Sequence, residues 1–319
     1  MPDAAPNTGT PSMQSAGIRI GTRGSPLALA QAKETARLLA ASNNSSADAA
    51  TILPIRTSGD MITDRPLSEV GGKGLFTKEI DDALLDGRID LAVHSAKDLP
   101  THLPDGLVIA AVLEREDVRD AILSPISTSI AGLPKEAVLG TSSLRRKALA
   151  LRIRPDLRIV DMRGNVETRI RKLAEGAADA TLLAIAGLRR LGLADRAAGM
   201  LDSAEWLPAV GQGAIAIMAR ESDAISLSLS AAIDDRETSV ALAAERAFLT
   251  VLDGSCRTPI GGLATLENDM IYFRGIIVKP DGSEAHVVER QGPVAEAESI
   301  GAEAAGELAR RGGADFFQS

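Results

Sequence analysis

IRIGTRGSPLALAQ, residues 18–31, decides the fold class. A short apolar run feeds a helix whose N-cap is Ser25 and whose first residue is Pro26, both favoured at those positions. A strand that turns at once into a helix is the opening of a β–α unit. The same grammar continues outward, with strands at Thr51–Arg56, Asp90–Ser95 and Leu107–Leu113 and an amphipathic helix over Leu75–Leu85 ended by Gly87. A second series starts near Asp120, with strands at Val138–Thr141, Leu157–Asp161 and Ala180–Ala184 and helices opening at Ser143 and Asn165. Both series predict parallel-sheet α/β domains. After Pro208 the segment AVGQGAIAIMAR reads as a glycine-rich crossing and a strand, and the residues alone leave open which sheet takes it. The end of the chain changes character. A helix over Glu237–Leu252, alternating stretches around Gly262–Leu266, Met270–Val278 and Ala285–Glu289, and a helix near Ala295–Arg310 predict a small α+β domain.

The expected fold is therefore α/β: two doubly wound domains around a cleft, of periplasmic-binding-protein type, plus the α+β unit. The expected division is a tail at 1–16, a first domain at 17–114 and 214–234, a second at 115–213 and a third at 235–319. The 319 residues suffice for several cores, 45% being hydrophobic. A net charge of −8 argues against a general nucleic-acid or anionic-membrane binder, and 2% aromatics against base-stacking platforms. The amino terminus lacks the basic and apolar segments of a signal peptide, and the longest apolar runs fall short of the roughly 20 residues that span a bilayer. A cytoplasmic location is expected. One cysteine excludes an internal disulfide and a cysteine-based zinc cluster.

Charge is unevenly placed. Arg145–Lys172 holds ten basic residues against Asp156, Asp161 and Glu167, so it carries +7 and the rest of the chain −15. Arg145 and Arg146 follow Thr141-Ser142-Ser143 where a strand becomes a helix, a place where backbone amides, hydroxyls and guanidinium forks converge on one anion. Arg163-Gly164-Asn165, with Arg169 one turn on, repeats the arrangement, and Arg23-Gly24-Ser25 makes a third such turn in the first domain. A solvated helix face is the bland reading of an arginine pair. The repeated strand-to-helix placement favours a polyanion held between the domains.

His94, Asp98 and His102 have the spacing of ligands on a helix, but Pro100 and Pro104 break that helix. Lys97 and Asp98 instead sit in the loop just past a strand, where a carboxylate serves as acid, base or partner of a cationic intermediate; a loop salt bridge is the competing reading. Gly71-Gly72-Lys73-Gly74 fails as a phosphate loop, because Gly74 stands where Ser or Thr belongs and Leu67 where glycine does. Gly211-Gln212-Gly213 lacks the third glycine of a dinucleotide fingerprint. A nucleotide-dependent transferase is thus disfavoured. Residues 58–74 suit a flap, and Cys256 lies in a turn beside Arg257, where a thiolate is favoured over a buried thiol.

Together, GTRGSPLALAQ, GGKGLFTKEID, AVHSAKDLPT, EREDVRDA, GTSSLRRKA, RGNVETRI, PAVGQGAIAI and GSCRTPIGG resemble the porphobilinogen deaminase (hydroxymethylbilane synthase) family of tetrapyrrole and haem biosynthesis, from Ile18 to the C-terminal helix. The resemblance implies a transferase that joins four porphobilinogen molecules head to tail, releasing ammonia each time, on a dipyrromethane cofactor made from its own substrate, and then releases hydroxymethylbilane by hydrolysis. It implies Asp98 as catalytic carboxylate and Cys256 as the thioether anchor of the cofactor. Lys97, Ser143, Arg145, Arg146, Arg163, Asn165 and Arg169 would hold the cofactor. Arg23, Ser25, Gln31, Arg163, Arg169 and Gln212 would hold substrate. No metal, nucleotide, nucleic-acid or membrane partner is implied, and the expected form is a monomer. Two positions depart from many relatives: Ser255 stands where a second glycine precedes the cysteine, and Ser58 where some carry Arg. The competing reading is a small-anion binding module of periplasmic-binding-protein type without catalysis, since fold does not separate the two.

Overall fold

The computed structural model describes residues 17–42, 50–61, 74–254 and 258–317. Cys256, most of the 58–74 flap and the 1–16 tail lie outside the described residues. The first sheet gathers β1 (Ile18–Arg23), β2 (Ala50–Ile55), β3 (Leu91–Ser95), β4 (Leu107–Val112) and β10 (Ile215–Arg220) in the order β2-β1-β3-β10-β4. The second gathers β5 (Asp120–Leu123), β6 (Val138–Gly140), β7 (Arg158–Val160), β8 (Ala180–Ala184) and β9 (Gly199–Met200) in the order β7-β6-β8-β5-β9. The two orders are the same pattern. In each, the fourth strand is the one formed just after the chain crosses from the other sheet, and it runs antiparallel to both neighbours.

The expected parallel-sheet α/β layout holds, with one antiparallel strand in each sheet that the sequence did not announce. The crossing segments enter at the carboxyl edge of the parallel strands, so a strand that starts there must run the other way. This also assigns the strand after Gly213, as β10, to the first sheet. Three helices begin where their caps predict: Ser25 Oγ accepts from Ala28 N at 3.3 Å, Ser143 Oγ from Arg146 N at 3.4 Å and Asn165 Oδ1 from Thr168 N at 2.8 Å. They open α1 (Pro26–Ser42), α4 (Leu144–Ile153) and α5 (Val166–Ala174). The short α2 (Ser58–Met61) follows β2, and α3 (Lys78–Leu85) starts one turn later than expected because residues 74–77 form a turn, with Gly74 at φ 78°. After β8 comes α6 (Ile185–Arg190). Helix α7 (Ala224–Ala231) was not anticipated, although Asp223 caps it by accepting from Ser226 N at 3.1 Å.

The third unit is an antiparallel sheet, β11 (Ile260–Glu267), β12 (Met270–Val278) and β13 (Ala285–Pro293), covered by α8 (Arg236–Val251) and α9 (Ala297–Gly312). Alternation along β12 serves two cores. Ile271, Phe273 and Ile277 pack under α8 and α9, with Phe273 and Phe248 ring centres 4.9 Å apart. Ile276 and Val278 face the other way, into the second domain's core with Leu139, Leu149 and Trp206. From α8, Leu242 enters the first domain's core beside Ala96 and Leu99. The helices meet closely, since a Cβ on Gly301 would lie 2.0 Å from the Ala244 carbonyl oxygen.

One buried carboxylate ties this unit to both crossings. Glu245 has no exposed surface and accepts from Arg115 Nη1 at 2.6 Å and Nη2 at 3.0 Å, from Gly211 N at 2.7 Å and from Ala264 N at 2.9 Å. Removing it strands the Arg115 charge. Glu245→Ala should therefore cost about 3–5 kcal/mol in equilibrium denaturation. A loss below about 1 kcal/mol would show that the crossings are held by something else.

Candidate functional site: a cation-lined cleft

Strands β1, β3, β6 and β7 point their carboxyl ends at the space between the first two domains, which is where open α/β sheets bind ligands. On the first wall, Arg23 lies over the Phe76 ring, 4.3 Å from its centre, and is paired with Asp60. Burial alone would raise the Asp60 carboxyl, but hydrogen bonds from Arg23 and Thr57 bring it below its ordinary value. The Gln31 amide meets the Ser95 hydroxyl at 2.9 Å. Arg23, Ser25, Gln31, Phe76, Ser95 and Asp98 line one small cavity. Asp98 ends a single 3₁₀ turn, Ala96–Asp98, directly after β3, and its side chain is exposed. His94, which lines the same cavity, is 5% exposed, its Nε2 has no partner among the described residues, and burial followed by the Arg23 charge pushes it down to about 4.

On the second wall the organising group is Asp120, which has no exposed surface. It accepts from Arg145 Nη2 at 2.8 Å, Arg146 Nη2 at 2.7 Å and Nε at 3.2 Å, Trp206 Nε1 at 2.8 Å and Gln212 Nε2 at 2.9 Å. Burial would raise its carboxyl, but the two arginines override this and hold it well below the usual range. Arg145 also donates to the Leu207 carbonyl at 2.7 Å and Arg146 to the Leu182 carbonyl at 2.9 Å. Lys97 reaches across from the first domain, its Nζ 3.4 Å from Gln212 Oε1. Burial and then the Arg146 charge push the Lys97 ammonium down to about 8, against the pull of Asp98 and Asp120. Arg169 is pushed down to about 10 by burial and then by Arg146, and its Nε donates to the Gly164 carbonyl at 2.9 Å.

The structure thus places Lys97, Arg145, Arg146 and Gln212 around one carboxylate, with Arg169 within electrostatic reach of Arg146, Asp98 and Arg163. It gives other residues different surroundings. Arg145, read from sequence as a ligand-holding cation, is 4% exposed and directs its fork inward to Asp120 and Leu207. Ser143 and Asn165 use their side chains as helix caps, and Asn165 is exposed. Arg163 is partly buried, and its carbonyl accepts from Lys172 Nζ at 3.1 Å. Sequence reading missed Asp120 and Trp206. Both left a signal: Asp120 is the acid that closes EREDVRDA before an apolar strand, and Trp206 is the chain's single tryptophan.

A ligand with several carboxylates fits this donor set. Three cations, Lys97, Arg145 and Arg146, surround the one buried carboxylate, and the buried Arg145 Nε and Ser142 Oγ have no partner among the described residues. Comparison with known proteins gives the family. The family model for the dipyrromethane cofactor-binding domain of porphobilinogen deaminase matches residues 18–227, and that for its C-terminal domain matches 238–310. The chain belongs to the porphobilinogen deaminase family. A porphobilinogen deaminase of Nitrobacter hamburgensis is 57% identical over 96% of this chain and 98% of its own, and one of Paracoccus denitrificans is 55% identical over 94% and 96%. Among solved structures, a periplasmic substrate-binding protein of Coxiella burnetii aligns at a TM-score of 0.41 and 17% identity, over 72% of this chain and 96% of its own, too loosely to carry an argument.

His94 makes the site's framework sensitive to acid. Its folded value near 4 lies below the 6.5 of the free side chain, so between the two the unfolded chain takes up a proton that the folded protein refuses. Its contribution to stability is present above 6.5 and is lost as the pH falls from 6.5 to 4. Urea unfolding at pH 7 and pH 4 should show a smaller drop for His94→Gln than for the unaltered chain. Equal drops would mean that His94 is not the responsible group.

Proposed function

We propose that this chain is a hydroxymethylbilane synthase: a transferase that condenses four porphobilinogen molecules head to tail with loss of ammonia, on a dipyrromethane primer, and then hydrolyses the product free. The observation that carries the reading is an exposed carboxylate, Asp98, at the edge of a cleft whose other wall holds more cation than anion. Each pyrrole bears an acetate and a propionate, so substrate and growing chain demand several cations and one carboxylate free to do chemistry. Lys97, Arg146, Arg163 and Arg169 would hold the cofactor's carboxylates from the second wall, with Ser143 and Asn165 ordering the turns and Arg145 backing them. Cys256 would anchor the cofactor by a thioether. When bound, that group supplies the free pyrrole carbon that attacks the incoming unit.

Several features of the cleft support the part read for the protein's own residues. Arg23, Ser25 and Gln31 share one small cavity with Asp98, which suits binding of the incoming porphobilinogen. Asp98 accepts hydrogen bonds from pyrrole N–H groups and stabilises the positive charge that develops as ammonia departs. Its place on a one-turn 3₁₀ segment, packed by Ala96 and Leu99 in the first domain's core, fixes that carboxylate while rings pass it. Gln212 joins the walls, linking Lys97 of the first domain to Asp120 of the second. The domain division at 17–114 with 214–234, 115–213 and 235–319 is part of this reading, supported by the strand orders. The protein would act as a cytoplasmic monomer on a small molecule; no helix among the described residues is long and apolar enough to cross a membrane.

Asp98→Asn is the direct test, because the amide keeps size and loses charge. It should retain the fold and the bound cofactor yet lose roughly 10²–10³-fold in kcat. Turnover within a few-fold of the unaltered enzyme would remove Asp98 from the reaction.

A further inference from the structure

Asp120 has itself been given no part in holding a ligand, yet it accepts five hydrogen bonds from residues of the cleft. It opens β5, at the point where the chain enters the second domain. Its donors come from three separate places: Arg145 and Arg146 on α4, Trp206 beyond β9, and Gln212 on the returning crossing. Gln212 is fixed in turn by a second bond from Nε2 to the Val118 carbonyl at 2.7 Å, and its Oε1 faces Lys97 Nζ. One carboxylate therefore orders three cations drawn from both domains.

The ratio matters. A one-to-one buried pair cancels its charge and offers a ligand nothing, whereas three cations on one carboxylate stay attractive to anions. Arg145 and Arg146 are neighbours in sequence and repel each other, so without a shared anion their forks would turn apart. Asp120 engages Arg146 through Nε and Nη2 together, which fixes the guanidinium plane; with the Leu182 bond, three of its five N–H groups are used. Trp206 and Gln212 supply uncharged donors, which steady Asp120 without adding to the cation count.

We propose, on the reading of the preceding subsection, that Asp120 is the positioning residue of the carboxylate clamp. It holds the Arg146 fork, and through the Gln212 amide the Lys97 ammonium, where they meet the carboxylates of the pyrrole chain, and it orients more charge than it cancels. A purely structural role would appear as lost stability alone. A positioning role moves substrate affinity and the loading of the apoprotein as well.

Three variants separate these. Asp120→Asn removes the shared charge, Trp206→Phe removes one neutral bond to it, and Asp90→Asn breaks an unrelated partly buried pair with Arg19 at the opposite end of β3. The readouts are the thermal midpoint, the rate at which apoprotein given porphobilinogen gains the mass of two pyrrole units, and KM and kcat of the loaded enzyme. Asp120→Asn should slow the mass gain and raise KM at least roughly tenfold, and Trp206→Phe should raise KM about threefold with kcat less affected. Asp90→Asn should lower the midpoint with KM and mass gain unchanged. If Asp120→Asn does not fold, Trp206→Phe alone decides. KM and mass gain that stay normal in Trp206→Phe, or that follow the midpoint equally in all three variants, would overturn the positioning role. An unaltered protein that never gains the mass would overturn the functional reading instead.

Discussion

A carboxylate with no exposed surface must be met on every side by donors, and at Asp120 that requirement shapes the cleft. Two arginines, a tryptophan and a glutamine converge on it from three parts of the chain. Their convergence ties the first turn of α4, the segment beyond β9 and the crossing near Gln212 to the start of β5. Glu245 performs the matching task on the third unit, holding Arg115 of the outgoing crossing and Gly211 of the returning one. The two crossings are thus pinned by two buried acids. Because strands re-entering from those crossings run antiparallel in each sheet, the mixed topology and the pinned crossings have a common origin.

The third unit is continuous with its neighbours. Alternate side chains of β12 enter its own core and that of the second domain, while Leu242 of α8 enters the first. Further, Arg246 donates to the Pro100 and Thr101 carbonyls at 3.0 Å, and Thr101 Oγ1 donates to the Gly254 carbonyl at 2.7 Å. These bonds join the loop after Asp98 to the segment two residues ahead of Cys256. The unit therefore registers the first domain against the end of α8 as well as enlarging the core.

Much of the fold was legible because its signals are local. Ser25, Ser143 and Asn165 cap helices where their positions demand, and strand β8 has the bounds its apolar run implies. What escaped reading depends on distant partners. The direction of β5 and β10 is set by where the crossings enter, which no local pattern records. Within the cleft, the placement of Lys97 and Asp98 just past β3 was legible because Pro100 and Pro104 break the helix that His94, Asp98 and His102 would share, whereas the inward turn of Arg145 was not. Its partner Asp120 is 25 residues away in sequence, and a charge count over 145–172 cannot register an acid outside that window.

A cleft between two α/β domains would by itself equally suit a protein that holds an anion and lets it go. This cleft keeps the Asp98 carboxylate exposed opposite a cationic wall, and the chain carries a single cysteine in a segment that follows α8. The proposed reaction needs Cys256 to carry the primer on which the cleft's cations would act. Intact-mass measurement under limiting porphobilinogen tests it most directly. With the primer on Cys256, the protein should be heavier than its sequence by two pyrrole units and then climb a ladder one unit at a time, both absent in Cys256→Ser. An unmodified mass in the active protein, or the same ladder in Cys256→Ser, would contradict it.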